Sequence, residues 1–243
     1  RLGSNYRFSE DRVKSAALFV TKLWNIARFI SSFPIAADDY ELVPLDKMML
    51  ARLNIVINEC IAGYDELDAY VPANVVRGFT WNVFADHYIE AAKSRAYNQN
   101  GEFDEKSQRS AWFTLHTCLN AIIGLLAPIC PFVTEAIWRE LYSNQSVHLV
   151  SFPEGKKEFE NELEKSLPQL MDFNTAVWKY KKEKRIALSQ ELTARVHGPK
   201  ELAPLKADLE AMHRIKDLRF VKPPENVKAK ARKLDDEIFV IEM

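Results

Sequence analysis

Residues Phe8–Ile30, FSEDRVKSAALFVTKLWNIARFI, set the fold. Val13, Ala16, Ala17, Val20, Leu23, Trp24, Ala27 and Ile30 recur at helical steps, which predicts one amphipathic helix with these residues on its buried side. Ser9 suits the N-cap, Glu10 and Asp11 complement the positive end of the helix dipole, and Phe8 and Val13 are spaced as a hydrophobic staple. Lys14, Thr21, Asn25 and Arg28 fall on another side, with Lys22 and Phe29 one step round from it. Hydrogen-bond donors, positive charge and a flat ring together are what a protein uses to hold a single-stranded nucleic-acid loop. The same residues also suit a plain solvated helix.

Around this helix the chain has 243 residues, 47% hydrophobic and 28% charged, with seven glycines. That composition can bury a sizeable core, and its long periodic segments favour helices. A net charge of -1 excludes a strongly basic nucleic-acid binder, so any such surface must be a local patch. Cys60, Cys118 and Cys130 lie far apart in apolar stretches without zinc-ligand spacing, which fits a reducing cytoplasm. The apolar run at Ala121–Ala127 is too short to span a bilayer, and no membrane association is expected. A chain that opens on Arg1 reads as part of a longer protein.

Further along, the periodicity predicts helices from near Asp46 to Leu67, from Pro72 to before the Asn98–Gly101 stretch, from Lys106 to Ala127 and from Phe132 to Tyr142. Long helices with short links describe a bundle over residues 1–153, closed by an extended tail at Val147–Pro153. Composition shifts at Glu154. Residues 154–243 read as a small α/β module: a helix over Leu167–Arg185, a strand at Leu192–Val196, a helix over Glu201–His213, and strands at Leu218–Val221 and Glu237–Glu242. Lys222–Lys233 reads as a basic loop. The expected fold class is mainly α, a helical bundle followed by this module.

Catalytic constellations are missing: there is no glycine-rich phosphate loop, GxSxG or HExxH. His87, His116, His148, His197 and His213 are scattered. Asp38-Asp39 and Asp235-Asp236 fall in expected loops. Trp24, Trp81, Trp112 and Trp138, one per bundle helix, suit helix packing. Phe29, beside Arg28, is either a stacking platform or a partly buried bundle residue. Asp86 and Glu90 share a helix face near Lys93 and Arg95, either as a salt-bridge network or with Glu90 free to accept from a base amino group.

RFSEDRV (Arg7–Val13), FxxKLWNxARF (Phe19–Phe29), WxxFxDxYIExxK (Trp81–Lys93) and LxPICPFVTEAIW (Leu126–Trp138), in this order and spacing, resemble the anticodon-binding bundle of valyl-tRNA synthetases. Isoleucyl- and leucyl-tRNA synthetases share this class Ia bundle, but the first three segments favour the valyl branch. The resemblance covers roughly Gly3 to Pro153. It implies a monomeric recognition part that receives the anticodon stem-loop of tRNA(Val), whose anticodon ends in A then C, and works with a catalytic domain of the same chain. That domain would use ATP and Mg2+ to join valine to tRNA; no cofactor is implied for these residues, and no catalytic residue. Carried over by motif, the tRNA-binding residues are Lys22, Arg28 and Phe29 on the first helix and Ile89 and Glu90 on the third, with Arg12, Asn25 and Lys93 beside them. A helical protein-interaction scaffold is the alternative of a different class.

Overall fold

A computed structural model of the chain describes residues 8–36, 39–221, 231–235 and 238–241. Arg7, Asp38, Asp236 and residues 222–230 of the basic stretch lie outside the described residues.

Helix α1 runs Glu10–Ile30, with the Ser9 side chain accepting from the Arg12 amide at 3.4 Å. Its buried stripe differs from the expected one. Phe19, Leu23, Ile26, Ala27 and Ile30 face the core, whereas Val13, Ala16, Ala17 and Trp24 are exposed. The true stripe keeps helical spacing but is rotated by about one residue and is confined to the second half of the helix. The staple is not made, since Phe8 is 82% and Val13 56% exposed.

Helix α2 (Pro44–Asp65) begins with proline in its first turn, where the missing N–H costs no hydrogen bond. Leu50, Leu53 and Ile57 are buried as expected, while Leu67 lies beyond the helix end and is exposed. Next, Tyr70–Tyr97 forms one continuous rod in three parts: α3 (Tyr70–Gly78), a π-helical middle (Phe79–Ile89) and α4 (Glu90–Tyr97). The π part holds wider turns with i→i+5 bonding, a rare form that is frequent at functional sites. Nothing in its sequence announces it. Asn98 ends the rod in the left-handed conformation that asparagine tolerates.

Asp104 caps α5 (Glu105–Leu126), accepting from the Ser107 amide at 2.9 Å. α5 is central: Leu115, Cys118, Leu119, Ile122 and Ile123 are fully buried against Leu23, Met49, Leu50, Phe84 and Tyr88. α6 (Pro131–Leu141) starts on another first-turn proline. The tail then crosses α5 closely enough that a Cβ at Gly124 would come within 2.6 Å of Pro153.

Beyond Pro153 the chain stays on the bundle. The Asn54 side chain donates to the Lys156 carbonyl and accepts from its amide, both at 2.7 Å. α7 (Leu167–Glu183) leads to a four-stranded sheet of order β2-β1-β4-β3. β1 (Leu192–His197) and β2 (Ile215–Arg219) are parallel, joined through α8 (Lys206–His213). β4 (Ile238–Ile241) runs antiparallel between β1 and β3 (Ala231–Asp235). β3 falls where a basic loop was expected, because its exposed charges hide the alternation a strand usually shows. The helix expected from Glu201 becomes α-helical only after Pro204, following a 3-10 turn. Phe159, Leu167 and Leu170 join the same contiguous buried cluster as the bundle, so one core runs through both parts.

Among the described residues no helix is long and apolar enough to cross a membrane. The three cysteines carry free thiols, and burial pushes Cys60 up to about 12, which leaves it protonated and unreactive at neutral pH.

Candidate nucleic-acid interface

The outward side of α1 and the π–α4 rod meet along one flank. Lys22 reaches across to Asp86 at 2.6 Å, with its ammonium 4.2 Å from the centre of the Trp81 ring. One turn on, Lys93 donates to Glu90 at 2.7 Å while standing 5.8 Å from the centre of the Phe29 ring. Lys93 therefore ties Phe29 and Glu90 into one patch, and the Glu90 side chain remains 47% exposed.

Phe29 is half-buried. Its ring meets Phe33 edge-on at 5.1 Å and Tyr97 at 6.0 Å, while Phe33 itself is buried. Two aromatic neighbours hold the ring in one orientation, so a base stacking on its free side would find a rigid platform. Tyr97 is 43% exposed and widens that platform. No sequence pattern singles Tyr97 out, because it ends a helix just before a polar turn.

Arg28 is exposed and makes no ion pair among the described residues. It borders a groove of about 380 Å³ between α1 and α6, together with Trp24, Ser31, Ile137 and Glu140. Trp24 was expected in the packing; the rotated stripe turns it out beside Arg28 instead, 49% exposed. Asn25, also exposed, lies between these features on α1.

Two expected site residues are placed elsewhere. Ile89 is 6% exposed and supports the patch from beneath, so its side chain offers no face to an unstacked base. Arg12 lies seventeen positions before Phe29, about 25 Å along the helix axis. It lines a separate cavity of about 890 Å³ with Ser15, Asp68, Tyr70 and Arg77. Arg95 also leaves this flank. It is buried and turned toward Asp46 and Asp208.

Lys22 and Lys93 are each balanced by a carboxylate, whereas Arg28, one residue round α1 toward the α6 groove, makes no ion pair among the described residues. A surface of this kind holds a ligand by stacking and base-edge hydrogen bonds more than by phosphate attraction. The exposed Glu90 carboxylate accepts only, which suits an exocyclic amino group such as that of cytosine.

The scattered histidines of the sequence are partly gathered by the fold. Asn174 on α7 accepts from His213 Nε2 at 2.8 Å, and its amide lies 3.2 Å from His87 Nδ1 on the π part. Trp178 packs against both rings, at 5.4 Å from His87 and 5.8 Å from His213. His87, Asn174 and His213 are buried, and the cluster joins the π part of the bundle to α7 and α8.

A valine–tRNA ligase of Pyrobaculum aerophilum is 40% identical over 219 residues, covering 90% of this chain and 27% of that protein. One from Aeropyrum pernix is 39% identical over 231 residues, covering 93% of this chain and 28% of that protein. One from Archaeoglobus fulgidus is 34% identical over 197 residues. The chain thus spans about a quarter of the length of these relatives. The family model for the anticodon-binding domain of tRNA ligases matches residues 46–196, from α2 through most of β1. By this match and by its relatives, this chain belongs to the anticodon-binding domain family of tRNA ligases.

Proposed function

We propose that this chain is the tRNA-recognising part of a valine–tRNA ligase and that the α1–α4 flank receives the anticodon stem-loop of tRNA(Val). The observation that carries this reading is Lys93, which brings the Phe29 ring and the exposed Glu90 carboxylate onto one patch. Phe29 and Tyr97 stack an unpaired base, Glu90 accepts from an amino group, and Arg28 meets a phosphate. Valine activation, with ATP and Mg2+, would be done by the remainder of the parent enzyme, in the cytoplasm. The cavity around Arg12, with Tyr70 and Val71, and the exposed Val13 and Leu18 on the first half of α1 suit the surface that this remainder covers.

Fluorescence anisotropy with a stem-loop RNA carrying the valine anticodon, and with one whose anticodon is swapped, tests the reading. The matched hairpin should bind more tightly. Phe29→Ala should weaken it by about 1–3 kcal/mol, the range for one base–aromatic stack, with helicity unchanged. Because few cations on this flank are uncompensated, the slope of log K against log salt should be shallow, about -1 to -2, and Arg28→Gln should reduce it by close to one unit. Equal affinity for both hairpins, insensitive to Phe29, would favour a protein-interaction scaffold.

A further inference from the structure

Next to the Phe29–Glu90 patch, a cleft of about 190 Å³ opens where α4 meets the sheet unit. Lys93, Ser94, Tyr97, Gln99, Glu102 and Arg214 line it. Two of these residues are shared with the patch, since Lys93 touches Phe29 and Glu90 and Tyr97 packs edge-on against Phe29. The cleft is therefore continuous with the patch.

Its walls are fixed. The Asn98 side chain donates to the Phe103 carbonyl at 2.7 Å and accepts from the Phe103 amide at 3.0 Å, which pins the turn after α4. On the far side, Arg214 ends α8 with a φ of +54°, a left-handed conformation that glycine or asparagine adopts at lower cost. Arg214 is exposed there and makes no ion pair among the described residues. Glu102, the acid of the cleft, takes a hydrogen bond from Asn100 at 3.1 Å.

The volume lies below the roughly 300–1,000 Å³ of ordinary small-molecule pockets and fits one base or one sugar–phosphate unit. An exposed aromatic ring on one wall and an unpaired guanidinium on the other match the two halves of a nucleotide, base and phosphate. A free inorganic anion is less well served, because Glu102 shares the space.

We propose that this cleft is a second nucleotide subsite, built jointly by the bundle and the sheet unit, in which Tyr97 stacks the base that follows the one held at Phe29 and Arg214 binds its phosphate. This rests on the anticodon-loop reading above. The sheet unit then touches RNA directly and is more than a support.

The test uses the whole 243-residue chain and the matched stem-loop, with affinity measured across a salt series. Arg214→Gln should weaken binding about three- to tenfold and lower the salt slope by about 0.7–0.9, the loss of one phosphate contact. Arg214→Gly should weaken binding equally while raising the melting temperature, because glycine relieves the left-handed backbone. A residue with only a structural role would not separate the two readouts in this way. If Phe29→Ala weakens the hairpin but both Arg214 variants bind it like the wild type with an unchanged slope, the subsite is refuted and the anticodon reading stands. If the unaltered chain does not prefer the matched hairpin, the anticodon reading fails and the subsite fails with it.

Discussion

Arg95→Ala should cost about 3–5 kcal/mol of folding stability, the range for removing one partner of a buried ion pair. The guanidinium is 1% exposed and each of its three nitrogens has a hydrogen-bond partner. Its Nη1 and Nη2 reach the two oxygens of Asp46 at 2.8 Å each, Nε reaches Asp208 at 2.9 Å, and Nη1 also meets the Ser107 carbonyl at 2.8 Å. Asp46 further accepts from Tyr88 at 2.7 Å and from Ser110. Burial alone works against the charge on Arg95, but Asp46 and Asp208 outweigh it and hold its pKa above the usual arginine value. Burial pushes the Asp208 carboxyl up despite the arginine beside it, so losing Arg95 strands two buried acids.

Urea denaturation at neutral pH checks this expectation. A loss under about 1 kcal/mol would show that the network is no stronger than a surface pair. A triple replacement of Arg95, Asp46 and Asp208 by apolar residues should recover much of the loss, because no unpaired charge is then left inside. Asp46 lies on α2, Arg95 on α4 and Asp208 on α8, so the same bonds hold the sheet unit against the helix that carries Glu90 and Lys93.

The second large effect is a loss of stability in mild acid. Burial, with the nearby positive charge of Lys181, lowers the His213 pKa from 6.5 to about 3. Burial also lowers His87, against the opposing pull of Asp86 and Asp172. His213 is therefore neutral when folded at neutral pH, and the Asn174 bridge needs an unprotonated nitrogen on His87. Its amide donates to His87 Nδ1, which a proton there would block. A depressed base favours the folded state above the unfolded pKa, and this advantage shrinks as pH falls below about 6.5. At pH 5 the unfolded chain gains a proton that folded His213 does not, which costs about 2 kcal/mol. Urea midpoints measured at pH 7.5 and pH 5 should fall accordingly, and His213→Leu should flatten that dependence whatever it does to absolute stability. An unchanged pH slope in this variant would show that His213 is not the group responsible.

Much of the architecture was legible in the residues. The N-cap at Ser9 and the helical periodicity of α5 are local signals, and the structure follows them. Juxtaposition of Phe29, Glu90 and Lys93 was also anticipated, through the motifs that carry them. What escaped depends on tertiary context. Trp24 and Ala17 carry the same apolar mark as Leu23, and only the neighbours of α1 decide which of them is covered. Arg95 and Asp46 look like ordinary helix-surface charges in sequence, and their burial is evident only when α8 arrives. Tyr97 and Arg214 are 117 positions apart along the chain and share a cleft that no local pattern could signal.

The π-helical stretch between Gly78 and Glu90 acts as a phasing device. A helix advances about 100° per residue, so each residue of slack in those wide turns sets the angle at which everything downstream emerges. Were the rod regular from end to end, the Glu90 carboxylate and the Lys93 ammonium would swing round its circumference and face away from the phenyl ring on α1. An insertion or deletion there would act less by loosening the core than by rotating half of the recognition surface out of reach.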